Sequence, residues 1–192
     1  SSFNLILVLI IIIIMKIIVC DMQGFNIPRF TPKELTFCDG NKTAHYFFQS
    51  PIPFDSLSER EKTHVRYMER KFHMMKFSSG LILFEEMDRI LLHHLYPPFT
   101  DNVDIVYVKG ANIEKFLLDF LERHNNEFTF QPQIKNLERN ISSSSSSMLH
   151  EVAPKIRPHC MHHELCVGSQ KMCTCSLNTV LFIFSWLNNN SF

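Results

Sequence analysis

Apolar and polar positions follow two rhythms along this chain, and the switches between them mark its elements. Residues 5–15 form an unbroken apolar run, Lys16 interrupts it, and four more apolar residues lead to Asp21. Residues 16–21 read as a short strand buried on both faces. Gln23-Gly24-Phe25 follows as a break, and Pro28 and Pro32 keep the next segment extended and irregular. Residues 34–38 and 43–49 are two further strand candidates. Asp39-Gly40-Asn41 between them is a strong turn signal.

The period then lengthens. Ser58, with Glu61 three residues on, is a capping box that opens a helix. Val65, Met68 and Phe72 give it an apolar stripe. Glu59, Arg60, Lys62, Arg66, Glu69 and Arg70 give it a solvated face of mixed charge. Met74, Met75 and Phe77 read as core filler ahead of the turn Ser78-Ser79-Gly80. Residues 81–84 are short and apolar. Residues 85–96 are helical, with Met87, Ile90, Leu91 and Leu95 on one face and Pro97-Pro98 as the stop. His93 and His94 are adjacent and point in different directions, whereas two metal ligands on one helix face need i, i+4 spacing; they read as a rim pair. Residues 104–109 are the clearest interior strand. It ends at Gly110, and Asn112 is placed to cap a helix over 113–123 with the stripe Ile113, Phe116, Leu117 and Phe120. Strand, glycine turn and helix are the unit of an α/β domain. Residues 128–130 read as a further strand or a loop. Residues 177–187 are apolar almost all round, which makes a buried helix too short to cross a membrane.

These elements divide the chain into a doubtful hydrophobic leader (1–14), an α/β core (15–135), a disordered Ser-rich linker (136–150) and a Cys/His segment with a final helix that completes the core (151–192). The apolar content, 45% of 192 residues, is enough for a sizeable single core. The formal net charge of zero gives no overall field toward a polyanion. Contact with nucleic acid therefore needs a local basic patch.

The leader has two readings. A signal segment suits a 7–15-residue apolar run, but no positive charge precedes this one and no small-residue cleavage site follows. Residues 10–14 are all Ile and residues 142–147 are all Ser, as simple nucleotide repeats yield when translated. Translation from Met15 is the preferred reading and makes the protein intracellular. The alternative is a secreted or membrane-associated protein that uses residues 5–20 for targeting, with N-x-S/T acceptors at Asn41, Asn140 and Asn189.

Cysteine and histidine change the picture at the other end. Four Cys and four His lie between His150 and Cys175. Cys160, His163, Cys173 and Cys175 have the ligand types of a structural Zn²⁺ site, with Cys166 as a competing ligand. The C-x-x-H spacing is good and C-x-C is unusual. The plain alternative is a set of reduced cysteines with a chance histidine.

The segments IIVCDMQGF, FTPKELTF, PFDSL, VYVKGANIEKFLLDFL and the C-x-x-H with CSLNTV occur in an order that resembles a many-copied family of arthropod proteins without an established activity. The resemblance covers most of residues 15–180. The family pattern carries a Trp and a double His followed by Gly after the first helix. Here Tyr67 and Phe72-His73-Met74-Met75 stand instead, and the Ser run replaces a more ordered connection, which under this resemblance implies a diverged or decaying copy. More distantly, the order of elements is similar to the ribonuclease-H-like exonuclease fold, in which a first strand ends in an acid, a hairpin follows, and a later strand–turn–helix brings a second acid. That resemblance implies a mixed sheet flanked by helices and two-Mg²⁺ phosphodiester hydrolysis. It puts Asp21 in the place of the first acid, with Glu114 or Asp119 as the later one. The partner position beside Asp21 is Gln23, a weak Mg²⁺ ligand, and the last helix has no acid. The expectation is a catalytically degenerate nuclease-like module that binds nucleic acid or a protein partner. The alternative is an active metal-dependent nuclease.

Overall fold

The computed structural model of the chain describes residues 15–96, 102–128, 130–140 and 175–189. They form a mixed α/β fold, one five-stranded sheet with helices against both faces. The strands are β1 Ile17–Asn26, β2 Phe30–Cys38, β3 Thr43–Phe47, β4 Ile105–Val108 and β5 Gln133–Asn136. The helices are α1 Glu59–Met68, α2 Met87–Leu95, α3 Ala111–Arg123, the single turn α4 Leu137–Asn140, and α5 Ser176–Asn189. The strand order is β3-β2-β1-β4-β5. β2 pairs antiparallel with β1 and β3, while β1–β4 and β4–β5 are parallel, so β2 alone runs against the other strands described.

Two-residue alternation along the central strand divides the core. Ile18, Cys20 and Met22 point to one face, where Leu35, Phe37, Val106 and Val108 join the apolar stripes of α2 and α3. Val19 points to the other face, against Cys38, Leu137 and the α5 residues Val180, Phe182 and Ile183. Val180 and Ile183 are fully buried, each contributing about 1.5–3 kcal/mol of apolar transfer. A third cluster, Phe25, Ile27, Leu57, Val65 and Phe77, ties α1 to the far end of β1.

The α/β layout follows the sequence pattern, and the elements differ from it in detail. β1 runs five residues past Asp21, through the expected break. The register shifts between Gln23 and Gly24, a bulge. A Cβ at Gly24 would lie 2.2 Å from the Thr31 carbonyl oxygen, so the glycine admits close backbone approach within a strand. β2 correspondingly starts at Phe30 and includes Pro32 opposite that bulge. Ile82 makes a single parallel bridge to Phe48, and residues 81–84 form no strand.

The capping box at α1 is formed, with the Ser58 side chain and Glu61 bonding reciprocally. Asn112 does not cap α3. Gly110, at φ 119°, occupies the N-cap position without a side-chain bond. Phe128 and Phe130 are outside any strand; the fifth strand is Gln133–Asn136, hidden in the sequence by its polar residues. Residues 136–140, assigned to the linker, end β5 and form α4, because Asn136 is buried and bonded to the start of α3. The leader, the Ser run and most of the Cys/His segment lie outside the described residues. Among the described residues no helix is long and apolar enough to cross a membrane.

Candidate functional site

β1 presents Val19, Asp21 and Gln23 to the same side of the sheet, because side chains alternate along a strand. The register sets Asp21 opposite Thr36 and Gln23 opposite Glu34. On the next strand His45 stands opposite Thr36. The N-terminus of α5 packs onto these residues. The result is a buried polar cluster between sheet and helix, with Asp21, Glu34, Thr36 and Ser176 all almost inaccessible.

Glu34 is the hub of the cluster. Its Oε2 accepts the Ser176 backbone N–H at 3.0 Å, its Oε1 pairs with His45 Nε2 at 2.6 Å, and the Cys175 thiol donates to the same Oε1 at 3.5 Å. A carboxylate from another strand thus caps the first turn of α5, where unsatisfied N–H groups and the positive end of the helix dipole favour a negative charge. The Thr36 and Ser176 hydroxyls bond at 2.5 Å beside it.

Asp21 is in the opposite electrostatic situation. Gln23 Nε2 donates to its Oδ2 at 3.1 Å. Burial pushes the carboxyl up to about 8. The hydrogen bond from Gln23 opposes this, the Glu34 charge reinforces it, and Lys109 and the Thr179 hydroxyl oppose it again. At neutral pH Asp21 is therefore a protonated acid. The adjacent Cys20 thiol is also pushed up, by burial and then by the Asp21 charge, so it is not a nucleophile.

The other acids singled out from sequence do not join this cluster. Glu114 is buried in the first turn of α3, held by Asn136 Nδ2 at 3.0 Å and Arg139 at 2.9 Å. Asn136 Oδ1 in turn accepts the Gly110 N–H at 3.3 Å, so Glu114 fastens α3 to β5 and α4. Asp119 lies on the solvent side of α3, exposed and 3.5 Å from Lys115, because the buried stripe of that helix is Ile113, Glu114, Leu117, Phe120 and Leu121. Of the four zinc candidates, Cys160, His163 and Cys173 lie outside the described residues. Cys175 is buried against Glu34. Among the described residues no group of three or more His, Cys, Asp and Glu is arranged to hold a metal ion.

His94, expected at a rim, is half-buried in the last turn of α2. Its ring stacks on Phe37 at 4.4 Å and its Nε2 meets the Tyr46 hydroxyl at 2.7 Å. Burial first, then His93, pushes it down to about 4, which makes it a neutral, half-buried histidine.

Glu34, Thr36, His45, Ser176 and Thr179 are the cluster members that sequence reasoning missed. The alternation of Glu34, Thr36 and Cys38 with Leu35 and Phe37 does place the first three on one face of a strand. Nothing local says that this face meets Asp21 or the start of α5, 142 residues away from Glu34. Comparison with models of known protein families gives no match, and no curated protein matches the chain.

Proposed function

We propose that this chain is a ribonuclease-H-like module in which the acids of the catalytic face hold the fold together, and that it acts by binding nucleic acid or a protein partner rather than by hydrolysis. The order of elements supports the fold reading: a first strand carrying Asp21, the β2–β3 hairpin, then β4, Gly110 and α3, all in one mixed sheet. The observation that carries the functional reading is the enclosure of Asp21, buried beneath α5 with the neutral Gln23 amide bonded to it.

Two Mg²⁺ ions about 4 Å apart need several ionised carboxylates around them. Asp21 is buried, and Gln23 directs its amide N–H at it. Glu34 is engaged by the α5 backbone and His45, and Glu114 by Arg139. This donor set does not fit a pair of hard cations.

The test is incubation of the purified protein with end-labelled single-stranded and duplex oligonucleotides in Mg²⁺ or Mn²⁺. We expect intact substrate, for wild type and Asp21→Asn alike. Metal-dependent cleavage by wild type that vanishes in Asp21→Asn would overturn the reading in favour of an active nuclease.

A structural zinc site on Cys160, His163, Cys173 and Cys175 is a separate proposal. Its support is the ligand types and the C-x-x-H spacing in the sequence; Cys175, the one candidate within the described residues, donates its thiol to Glu34. Purified protein should carry about one zinc per chain, lost in Cys160→Ser and in Cys175→Ser. A folded, metal-free preparation would refute it.

A further inference from the structure

The reading as a binding module leaves its contact surface open. With a net charge of zero, any surface for a polyanion has to be local. Residues 59–76 carry six of the chain's 19 Lys and Arg against three Glu, an excess of cations, and each of the three acids has a partner within the segment or at its edge. Glu59 is 3.0 Å from Lys62. Glu61 is taken into the capping box, accepting the Ser58 N–H at 2.9 Å and its hydroxyl at 2.6 Å. Glu69 turns inward and accepts the Phe77 N–H at 2.5 Å, where it also acts on the buried Lys33 ammonium.

The cations are disposed differently. Arg60, Arg70, Lys71 and Lys76 are exposed and, among the described residues, have no acidic partner. Arg66 is exposed as well, with its guanidinium 5.4 Å from the Phe54 ring centre. Arg60, Thr63, Tyr67 and Arg70 are spaced three, four and three apart, so they share one face of α1 and the turn after it. The α-helix gives way to a wider π-turn over Glu69–His73, which ends at Met74 in the left-handed region, φ 52°. The Phe77–Glu69 hydrogen bond folds the chain back onto that turn, and the exposed Lys76 precedes the residue so held.

Two large rings stand in this basic field. Tyr67 is 53% exposed and Phe72 is 43% exposed. They meet edge to face, with ring centres 5.5 Å apart, and neither belongs to the core cluster that Val65 and Met68 of the same helix join. Burying an aromatic ring is favourable, so two rings this exposed among exposed cations forgo stability at a place where rings have a use. Cations follow a phosphate backbone and exposed rings stack on unpaired bases, a combination that binds single strands without reading sequence.

We propose that the outer face of α1 and its π-turn, built from Arg60, Tyr67, Arg70, Lys71, Phe72 and Lys76, is a docking surface for single-stranded nucleic acid. This rests on the binding-module reading and names its partner. A duplex presents the phosphates but not the open base faces, an acidic protein segment presents only charge, and the rings therefore select the single strand.

The experiment is fluorescence anisotropy of labelled 20-nucleotide single strands, DNA and RNA, titrated with the full chain at 50 to 200 mM NaCl. Four phosphate contacts give a log–log salt slope of about −3, and so about fifty-fold weaker binding across that range. Arg70→Gln with Lys71→Gln should bring the slope close to half. Tyr67→Ala should weaken binding about five-fold or more while leaving the slope unchanged. All three positions are exposed, and unchanged circular dichroism confirms that the variants fold. Blunt duplex of the same length and polyglutamate serve as competitors and should both compete more weakly than unlabelled single strand.

Absence of binding at 50 mM NaCl overturns the proposal. Binding that ignores the double variant also overturns it. Equal competition by polyglutamate, with no effect of Tyr67→Ala, reduces the patch to a site for any polyanion and overturns the single-strand assignment. Metal-dependent cleavage of the strand that Asp21→Asn abolishes would sink the binding-module reading, and these binding outcomes would remain separately legible.

Discussion

Burial holds the Asp21 carboxyl protonated to about pH 8 in the folded chain, whereas an unfolded aspartate ionises near 4. The folded state therefore binds one more proton across that interval. The stability that goes with it is fully present below about pH 4, is lost progressively as pH rises, and is gone above about pH 8. The full interval is worth about 5 kcal/mol. Asparagine mimics the protonated acid and does not titrate. Urea unfolding of wild type and Asp21→Asn should agree near pH 4, and by pH 8 the variant should be the more stable by several kcal/mol. Parallel curves across that range would mean that Asp21 is solvated or paired in a way that the burial does not suggest. The sequence placed an acid at the end of a strand with a neutral glutamine beside it. It could not say that the acid is neutral too, because that depends on α5 closing over the site from the far end of the chain.

Two elements take their form from contacts outside themselves. β1 continues through Gly24 because the strand opposite comes too close for any side chain there. Gly24→Ala forces a Cβ against the Thr31 carbonyl and should cost about 2–4 kcal/mol, on the scale of other severe steric substitutions, or block folding outright; thermal unfolding reads this directly. α5 gains its first-turn cap from Glu34 and not from a residue of its own. Glu34→Ala leaves the Ser176 N–H without that acceptor and takes the carboxylate from His45. The cost of an orphaned buried donor, about 1–3 kcal/mol, should appear as lower urea stability and a red shift of Trp186, which packs against the α5 cluster. Ordinary emission from Trp186 with undiminished stability would show that Glu34 does not hold the helix. The capping box of α1 was legible because Ser58 and Glu61 are three residues apart. The cap of α5 was not, since its acceptor comes from β2.

For the molecule as a whole, the sheet is covered on one face by α2 and α3 and on the other by α5. If α5 completes one cooperative core, Trp186 emission and far-ultraviolet circular dichroism should trace the same urea transition, since Trp186 is the chain's single tryptophan. A fluorescence transition at clearly lower urea would make α5 a separately stable piece. The basic, aromatic face of α1 also belongs to this scale. Its charges read as mixed along the sequence; the structure ties Glu61 to a cap and Glu69 to a loop and leaves Arg60, Arg70, Lys71 and Lys76 exposed.

The chain's own order of residues determined the α/β class, the apolar central strand that carries Asp21, the hairpin, the capped first helix and the buried last helix. Each of these rests on a local period or turn signal, which neighbouring residues specify. Tertiary structure alone decided which acids meet, which are neutral, which are tied to a backbone, and which cations remain exposed. Those properties depend on burial and on partners as far apart as Glu34 and Ser176, and no local pattern encodes such a distance.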